Sequence, residues 1–468
     1  MKRTIHDKIL KGGIIVALFS LGWPMMVSSF LQSAYNLTDT FWVGRLGEQQ
    51  GANAIASLQM TWPIVWLMIA LGMGFGIAGL ALVSQYIGAK KPEEANKAAG
   101  QVYFLFFTFS FIVAIVGVLV TPTLNRYIIP NEEVREMATL YMRVIFLGQP
   151  FMFSVIAFDF LLRGYGDTKT PMYVTAVSVV LNIILDPILM FGIPGTTFSG
   201  FGFIGAAYAT FLTRSLVSII AVYLIFSGRL GITLTFENLK PDWNIISKII
   251  KIGIPSSLGG SGAAFGFVIM MFMVARVGDG VTSLAAYGIG DRIISIMFII
   301  ISGLQMSLST IVGQNLGAGN IERAGKAART AMVMMASLLA LGALGIWVFR
   351  EPLLSIFTTN SAVIDEGILF IGIFGLFMPF FGVFQAVQGV YSGSGHTVYS
   401  MGLMIVRLWV LRVPLSYLFA FVFGWDSVGL WWAMGLSNFG ACIVAVIIFF
   451  WGKWKTPIIK DEPEPIPS

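Results

Sequence analysis

Residues 83–89 read VSQYIGA, and residues 312–318 read VGQNLGA. The second copy lies 229 positions after the first. The same shift relates KAA at 97–99 to KAA at 326–328, Asn131 to Asn360 and Pro150 to Pro379. Because one register holds over several separate segments, the chain is predicted to consist of two halves with the same fold.

The composition around these repeats is that of a membrane protein. Of 468 residues, 57% are hydrophobic and 11% are charged, whereas soluble domains carry about 25% charged residues. A helix needs roughly 20 apolar residues to cross the hydrocarbon core. The fold class predicted is therefore all-α, a polytopic membrane protein with twelve transmembrane helices. We place them near residues 13–38, 53–80, 95–121, 136–162, 170–195, 203–226, 247–275, 282–310, 325–349, 364–391, 399–424 and 428–452.

Six helices in each half predict two lobes in the same orientation, related by an axis along the membrane normal. The N-terminal lobe is predicted over 1–226, a cytoplasmic linker over 227–247, the C-terminal lobe over 248–452 and a cytoplasmic tail over 453–468. Two lobes of this kind commonly enclose a cavity that opens to each side of the membrane in turn, which favours a transporter by analogy of fold.

Basic residues indicate the orientation in the membrane. Most of the Lys and Arg residues fall at the two ends of the chain or in loops after even-numbered helices, and such residues stay on the cytoplasmic side. The loops after odd-numbered helices hold only Arg45, Arg126, Arg135, Arg276 and Arg350. We expect a multi-pass protein of the cell membrane with both termini cytoplasmic. The basic residues that give the net charge of +6 are thus explained by the orientation of the chain in the lipid bilayer, and no nucleic-acid partner is expected.

Three acids lie within predicted helices: Asp39 in helix 1, Asp159 in helix 4 and Asp186 in helix 5. Helical spacing groups further polar residues with them. Gln32 and Tyr35 share a face with Asp39, Asn182 precedes Asp186 by one turn, and Tyr141 lies 18 residues before Asp159, which is five full turns. Charged groups inside a membrane are costly and are functional by default. The corresponding positions of the second half, Met270, Gln388 and Val413, carry no acid, so the chemistry is predicted in the first lobe.

Two carboxyl groups held together away from water cannot both be charged cheaply, so the pair should take up a positive ion and titrate as a unit. That ion is either a proton or Na⁺ held by Asp39, Asn182, Asp186 and a hydroxyl, and the sequence does not separate the two. No resident cofactor is expected. Pro24 in helix 1 and Pro187 directly after Asp186 each remove a backbone donor, and they are either hinges or prolines tolerated by packing.

Several motifs occur along the chain: Pro24, DTFWVGRLG at 39–47, the pair Gln85 and Gln314, LRGYGDTK at 162–169, NIILDP at 182–187 and KIGIPS at 251–256. Together they resemble the multidrug and toxic compound extrusion (MATE) transporters, over essentially the whole chain through helix 12. Within the family the sequence is similar to the DinF-type branch, which keeps its functional acids in the N-terminal lobe. The other major branch carries acids in helices 7 and 10, and here helix 7 and residues 367–391 have none.

The resemblance implies roles for individual residues. Asp39 and Asp186 would form the cation-coupling pair, and Asn182, Tyr141 and Thr210 would complete its polar network. Gln32, Tyr35 and Asp159 would line the adjoining substrate cavity. The position of Asp159 is similar to one that holds an amide in some relatives.

We therefore expect an antiporter, driven by H⁺ or Na⁺, that exports amphipathic, cationic or aromatic organic compounds by alternating access. The alternative is a flippase for a lipid or lipid-linked saccharide in the same two-lobed superfamily.

An enzyme is not expected, because no nucleophile, metal or general-base constellation is visible. GFGIAG at 74–79 matches a dinucleotide-binding pattern, but it lies in an apolar helix and predicts close helix packing instead. The working unit is expected to be a monomer.

Overall fold

The structure, a computed structural model, describes residues 2–459, and within them all regular structure is helical. The helices are α1 (Lys2–Lys11), α2 (Ile14–Val43), α3 (Glu48–Gly88), α4 (Pro92–Ile128), α5 (Glu132–Leu147), α6 (Gln149–Tyr165), α7 (Lys169–Phe191), α8 (Phe203–Phe226), α9 (Trp243–Val274), α10 (Val281–Gly317), α11 (Ile321–Val348), α12 (Arg350–Ser355), α13 (Ser361–Leu376), α14 (Met378–Ser394), α15 (Thr397–Ile405), α16 (Val413–Tyr417) and α17 (Asp426–Trp451). Two π-helical segments, Val406–Arg412 and Leu418–Val422, connect and extend α15 and α16, and a short 3₁₀ turn, Lys453–Lys455, follows α17.

Within the described residues, ten helices or continuous helical runs are long and apolar enough to cross a membrane. The number rises to twelve if α5 with α6, and α13 with α14, each form one bent span. The prediction of an all-α polytopic membrane protein is confirmed. The short helix α1 was not predicted; it precedes the first predicted span and ends just before the pair Gly12 and Gly13.

Both bent spans break at equivalent places in the repeat. The helix axes turn by 49° at Gly148, between α5 and α6, and by 51° at Phe377, between α13 and α14. In each case a proline, Pro150 or Pro379, is the second residue of the following helix, where its missing N–H costs no helical hydrogen bond. The expectation that Tyr141 and Asp159 share one helix face was wrong, because it assumed a continuous helix through Gly148.

The same two helix pairs also begin alike. Asn131 caps α5 by accepting a hydrogen bond from the Val134 amide at 3.0 Å, and Asn360 caps α13 by accepting one from the Ala362 amide at 3.0 Å. A capping side chain satisfies a backbone donor that the first turn of a helix leaves without a partner. The match of Asn131 with Asn360 in the sequence thus corresponds to a shared structural role.

The contacts of the chain divide it into two compact units. The first, here called the C-terminal unit, holds the described parts of Met1–Met26, Ser84–Lys90 and Ile254–Ser468. The second, the N-terminal unit, holds Val27–Val83 and Lys91–Gly253. This division follows contacts and not the sequence repeat, so the lobe and linker boundaries given above stay a prediction.

In the N-terminal unit, α3 packs closely against its neighbours through glycine. A Cβ atom on Gly76 would lie 2.5 Å from the Phe160 ring, and one on Gly79 would lie 3.0 Å from Val102. Both glycines belong to the GFGIAG sequence, whose predicted role in helix packing is therefore confirmed. Helices α4 to α8 pack together in the same unit, and α2 and α7 carry the polar residues described below.

The segment that joins α8 to α9 is attached to the N-terminal unit. The Gln101 side chain on α4 donates hydrogen bonds of 2.7 Å to the carbonyls of Asn238 and Lys240 and accepts one of 2.9 Å from the Asp242 amide. Asn96 accepts a further bond of 3.0 Å from the Thr233 amide. These bonds fix the backbone of the segment against the N-terminal part of α4.

In the C-terminal unit, the two copies of the repeated heptapeptide meet each other. A Cβ on Gly88 would lie 2.0 Å from the Gln314 carbonyl oxygen, and one on Gly317 would lie 1.9 Å from the Gln85 carbonyl oxygen. The Gln85 amide also donates to the Ser394 carbonyl at 3.1 Å. The ends of α3 and α10 are thus in backbone contact, which only glycine permits.

Candidate functional site

The N-terminal unit brings Asp39 and Asp186 together. Asp39 lies near the end of α2 and Asp186 lies on α7, and their carboxyl groups interact with each other. Asn182, one turn before Asp186, donates to Asp186 Oδ1 at 3.0 Å and also contacts Asp39. Asn182 and Asp186 are fully buried, and Asp39 is half-buried. The i, i+4 spacing on α7 therefore places an amide and a carboxyl group beside a second carboxyl group from α2.

Tyrosine and threonine hydroxyls surround this pair. The Tyr35 hydroxyl donates to Thr210 Oγ1 at 3.2 Å, which links α2 to α8. Tyr141 on α5 stacks on Phe203 with 5.1 Å between ring centroids, and its hydroxyl interacts electrostatically with Asp39 and Asp186. The structure thus joins all five predicted cation-coupling residues, and Tyr35, in one cluster, here called the carboxyl cluster: Tyr35, Asp39, Tyr141, Asn182, Asp186 and Thr210.

Three oxygen atoms of the carboxyl cluster are buried without a hydrogen-bond donor among the described residues. They are Asp39 Oδ1, Asn182 Oδ1 and Asp186 Oδ2. Buried polar atoms are almost always paired, so each such atom requires an explanation. All three are acceptors, and two belong to acids in contact with each other. Two carboxyl groups and an amide oxygen are groups of the kind that bind a proton or a hard cation.

Arg214 is a member of the site that the sequence analysis did not identify. Its guanidinium lies 5.0 Å from the centroid of the Tyr35 ring and interacts electrostatically with Asp39. Arg214 follows Thr210 by four residues on α8, so the two side chains share a helix face. The sequence did carry a signal for Arg214. The residue lies inside an apolar helix, one turn after the candidate site residue Thr210.

Asp159 does not belong to the carboxyl cluster. It lies on α6 and forms an ion pair with Arg163, one turn later on the same helix, with 2.5 Å between Asp159 Oδ2 and Arg163 Nη2. Gln32, three residues before Tyr35 on α2, is half-buried. The cavity-lining role of Asp159, Gln32 and Tyr35 stays a prediction.

The two candidate hinge residues lie inside helices. Pro24 lies within α2, which continues through it, and Pro187 lies near the end of α7, directly after Asp186. Pro187 therefore removes a helical hydrogen bond next to the carboxyl cluster. Whether either residue is a hinge stays a prediction.

An apolar crevice of about 1100 Å³ in the N-terminal unit is separate from this chemistry. It lies among α4, α6 and α8, and none of the carboxyl-cluster residues lines it. Its walls include the exposed side chains Phe107, Phe111, Ile115 and Leu119 on α4. Such a surface is suited to contact with lipid chains.

Comparison with known proteins identifies the family. The MatE family model matches residues 24–188 and 255–418. A probable multidrug resistance protein NorM from Thermotoga maritima is 29% identical over 439 residues, which cover 94% of this chain and 92% of that protein. An FAD transporter from Shewanella oneidensis is 24% identical over 438 residues, covering 92% and 93% of the two chains.

A solved structure agrees with these relatives in fold. It shows the outward-facing conformation of a multidrug resistance MATE family transporter of the MOP superfamily, with a TM-score of 0.85 and 26% identity, and the match covers 95% of this chain and 96% of that one. The family model matches both halves of the chain over equivalent ranges, in agreement with the internal repeat. The chain is a multi-pass membrane protein that belongs to the MATE family of transporters.

Proposed function

We propose that this protein is a cation-coupled antiporter that exports amphipathic, cationic or aromatic organic compounds across the cell membrane by alternating access. H⁺ or Na⁺ is the coupling ion, no resident cofactor is involved, and the chain works as a monomer with both termini in the cytoplasm. We assign its coupling residues to the DinF-type arrangement, in which the acids belong to the N-terminal lobe.

The single observation that carries this proposal is the set of three buried acceptor oxygens at Asp39, Asn182 and Asp186. Two acids in contact, Asp186 fully buried and Asp39 half-buried, bind a cation because the bound ion removes their mutual repulsion. Release of that ion restores the repulsion. A bound cation therefore changes the free energy of the arrangement of α2 against α7, which is what ion coupling requires.

Arg214 completes the charge balance of the proposed cycle. When the ion has left, the guanidinium on α8 remains as the positive charge close to Asp39. When the ion is bound, Arg214 and the ion repel each other. The arginine therefore weakens cation binding and makes ion release easier.

The carboxyl cluster also favours export of organic compounds over the alternative, a flippase for lipid or lipid-linked saccharide. A flippase for phosphate-bearing lipids calls for a basic cavity in the first lobe, whereas this cluster holds two acids. The relative from Thermotoga maritima carries the name multidrug resistance protein, and the relative from Shewanella oneidensis the name FAD transporter. These names describe those two proteins only. The substrate class of this chain is therefore part of our proposal.

Efflux from proteoliposomes tests the coupling residues. Asp39→Asn and Asp186→Asn keep the shape of each side chain but remove its charge, and we expect each to abolish efflux of rhodamine 6G driven by an ion gradient. Glu237→Gln, the same type of change in the exposed segment between α8 and α9, is the control and should transport normally. Undiminished efflux in both Asp variants, with the purified proteins still monodisperse, would refute the proposal.

The same vesicles identify the coupling ion. A pH gradient and a Na⁺ gradient are imposed separately on the wild-type protein, and the initial rate of rhodamine 6G efflux is measured in each case. Stimulation by only one gradient assigns the ion. Stimulation by neither would refute ion coupling while leaving the family assignment intact.

A further inference from the structure

The C-terminal unit contains a second charged cluster, which the proposed ion coupling does not use. Arg407 and Arg412 both lie in the π-helical segment Val406–Arg412, one π-helical turn apart. π-Helical turns inside longer helices occur frequently at functional sites. Arg412 is 8% exposed, and Arg407 is half-buried. Two arginines in a membrane-spanning segment require an explanation of the same kind as the two acids.

Both guanidinium groups are held by neutral acceptors. Arg412 donates to Ser437 Oγ at 2.9 Å, to the Met434 carbonyl at 3.2 Å and to Asn438 Oδ1 at 2.9 Å. Arg407 donates to the same Asn438 oxygen at 3.4 Å. One amide oxygen on α17 therefore positions two cations beside each other.

The acids nearby do not balance this charge. Asp291 on α10 attracts Arg412 electrostatically, and the Tyr287 hydroxyl also interacts with Arg412 electrostatically. Neither Arg407 nor Arg412 forms an ion pair within 4.0 Å with any side chain that the structure describes. Two cations thus face one acid at longer range, in surroundings where an unpaired charge is costly.

The unpaired atoms of this cluster are donors. Arg407 Nε and Asn438 Nδ2 are buried and have no acceptor among the described residues, and Asn438 is 1% exposed. In the carboxyl cluster, by contrast, the unpaired atoms are acceptors, and in the part of the chain that the structure describes the one unpaired donor beside them is Arg214 Nε. The cluster in the C-terminal unit is therefore suited to an acceptor that carries negative charge.

Aromatic rings lie beside the same arginines. The Arg407 guanidinium is 5.0 Å from the Phe381 ring centroid and 5.2 Å from the Phe384 ring centroid on α14. Guanidinium groups bind carboxylate and phosphate through paired hydrogen bonds, and aromatic faces bind flat apolar groups. We propose that Arg407, Arg412 and Asn438 bind the carboxylate or phosphate group of an amphipathic organic anion or zwitterion that the protein transports. This proposal rests on the export function above and extends its substrates beyond cations.

Two dyes with the same ring system test the charge preference. Fluorescein carries a carboxylate, and rhodamine 6G is a cation. Binding of each to the purified full chain in dodecylmaltoside is measured by fluorescence anisotropy. We expect Arg407→Gln to weaken fluorescein binding at least tenfold and to leave rhodamine 6G binding unchanged. Arg292→Gln, at an exposed position on α10 in the same unit, is the control and should bind both dyes normally.

Further measurements keep the test decisive if a variant folds poorly. Arg407→Lys should retain part of the fluorescein affinity, because it keeps the charge but not the guanidinium fork. For the wild-type protein, fluorescein binding should weaken as NaCl is raised. Equal fluorescein affinity in wild type and Arg407→Gln, or no measurable fluorescein binding to the wild type, would overturn the proposal.

A phospholipid headgroup is the competing source of the anion. If proteoliposomes with the wild-type protein export fluorescein and Arg407→Gln abolishes that efflux, the result would support a transported compound as the source of the anion. Displacement of fluorescein by phosphatidylglycerol but not by phosphatidylcholine, with no fluorescein efflux, would assign the site to lipid and overturn the proposal. The binding assay needs no ion gradient, so its failure leaves the Asp39 and Asp186 result untouched, and the reverse also holds.

Discussion

Arg214 is the residue through which the carboxyl cluster can be adjusted without touching the acids. It contacts the face of the Tyr35 ring and lies near Asp39, while Thr210 on its own helix accepts the Tyr35 hydroxyl hydrogen bond. A fixed positive charge beside two carboxyl groups competes with any mobile cation for them. The affinity for the coupling ion should therefore depend on this side chain.

Replacing Arg214 by Gln should strengthen binding of the coupling ion. With an effective dielectric constant of about 20, removal of one nearby charge is worth on the order of 1 to 2 kcal/mol, which is roughly tenfold in affinity. If H⁺ is the ion, half-maximal efflux shifts to higher pH, and if Na⁺ is the ion, it shifts to lower Na⁺ concentration. The measurement is the initial efflux rate across a pH or Na⁺ series.

Arg214→Lys serves as the matched control because it keeps the charge, and it should leave the midpoint close to that of the wild type. A midpoint that moves equally in Arg214→Lys and Arg214→Gln would show that packing against Tyr35, and not charge, sets the affinity.

At the level of helices, the contact between α3 and α10 depends on two glycines. Gly88 and Gly317 occupy equivalent places in the repeated heptapeptide, and each lies against the backbone carbonyl of a glutamine in the other copy. Because the obstructing atoms are backbone atoms, they cannot move aside as a side chain can. An added methyl group must separate the two helices.

Gly88→Ala should therefore destabilise the protein by about 3 kcal/mol, the upper part of the range for overpacked sites. Gly260→Ala is the control, since its Cβ atom would meet nothing within 4 Å in the middle of α9. The control should be neutral or more stable, because alanine favours helix over glycine by roughly 1 kcal/mol. Apparent Tm in detergent is the measurement, and equal Tm values for the two variants would contradict the backbone contact.

For the whole molecule, orientation in the membrane follows from the distribution of basic residues and has a direct test. Cys442 is the one cysteine of the sequence and is 8% exposed, so Cys442→Ser gives a background without thiols. Glu237 lies in the segment between α8 and α9, and Thr359 lies between α12 and α13. Both are exposed, and an odd number of predicted spans separates them.

A single cysteine introduced at each position should react on opposite sides of the membrane. Thr359→Cys should be labelled by a membrane-impermeant maleimide in whole cells, whereas Glu237→Cys should be labelled only after the membrane is opened. The reversed pattern would place both termini outside. Labelling of both in intact cells would contradict the twelve-span topology.

The sequence by itself determined the class of this protein, because hydrophobic span length, basic loops and an internal repeat are properties of local segments. It also placed the candidate acids in the first half, since Asp39, Asp186 and Asn182 stand out in apolar helices. The equivalence of Asn131 with Asn360, and of Pro150 with Pro379, could be recognised for the same reason: caps and bends are local.

Only the tertiary structure decided which polar groups meet. It joined Asp39 to Asp186 across α2 and α7, added Arg214 from α8, and left Asp159 paired with Arg163. Helical spacing relates residues of one straight helix, but it cannot show which faces of separate helices pack together. The 49° bend at Gly148 is the clearest case, since it separates Tyr141 from Asp159 although their spacing predicts a common face.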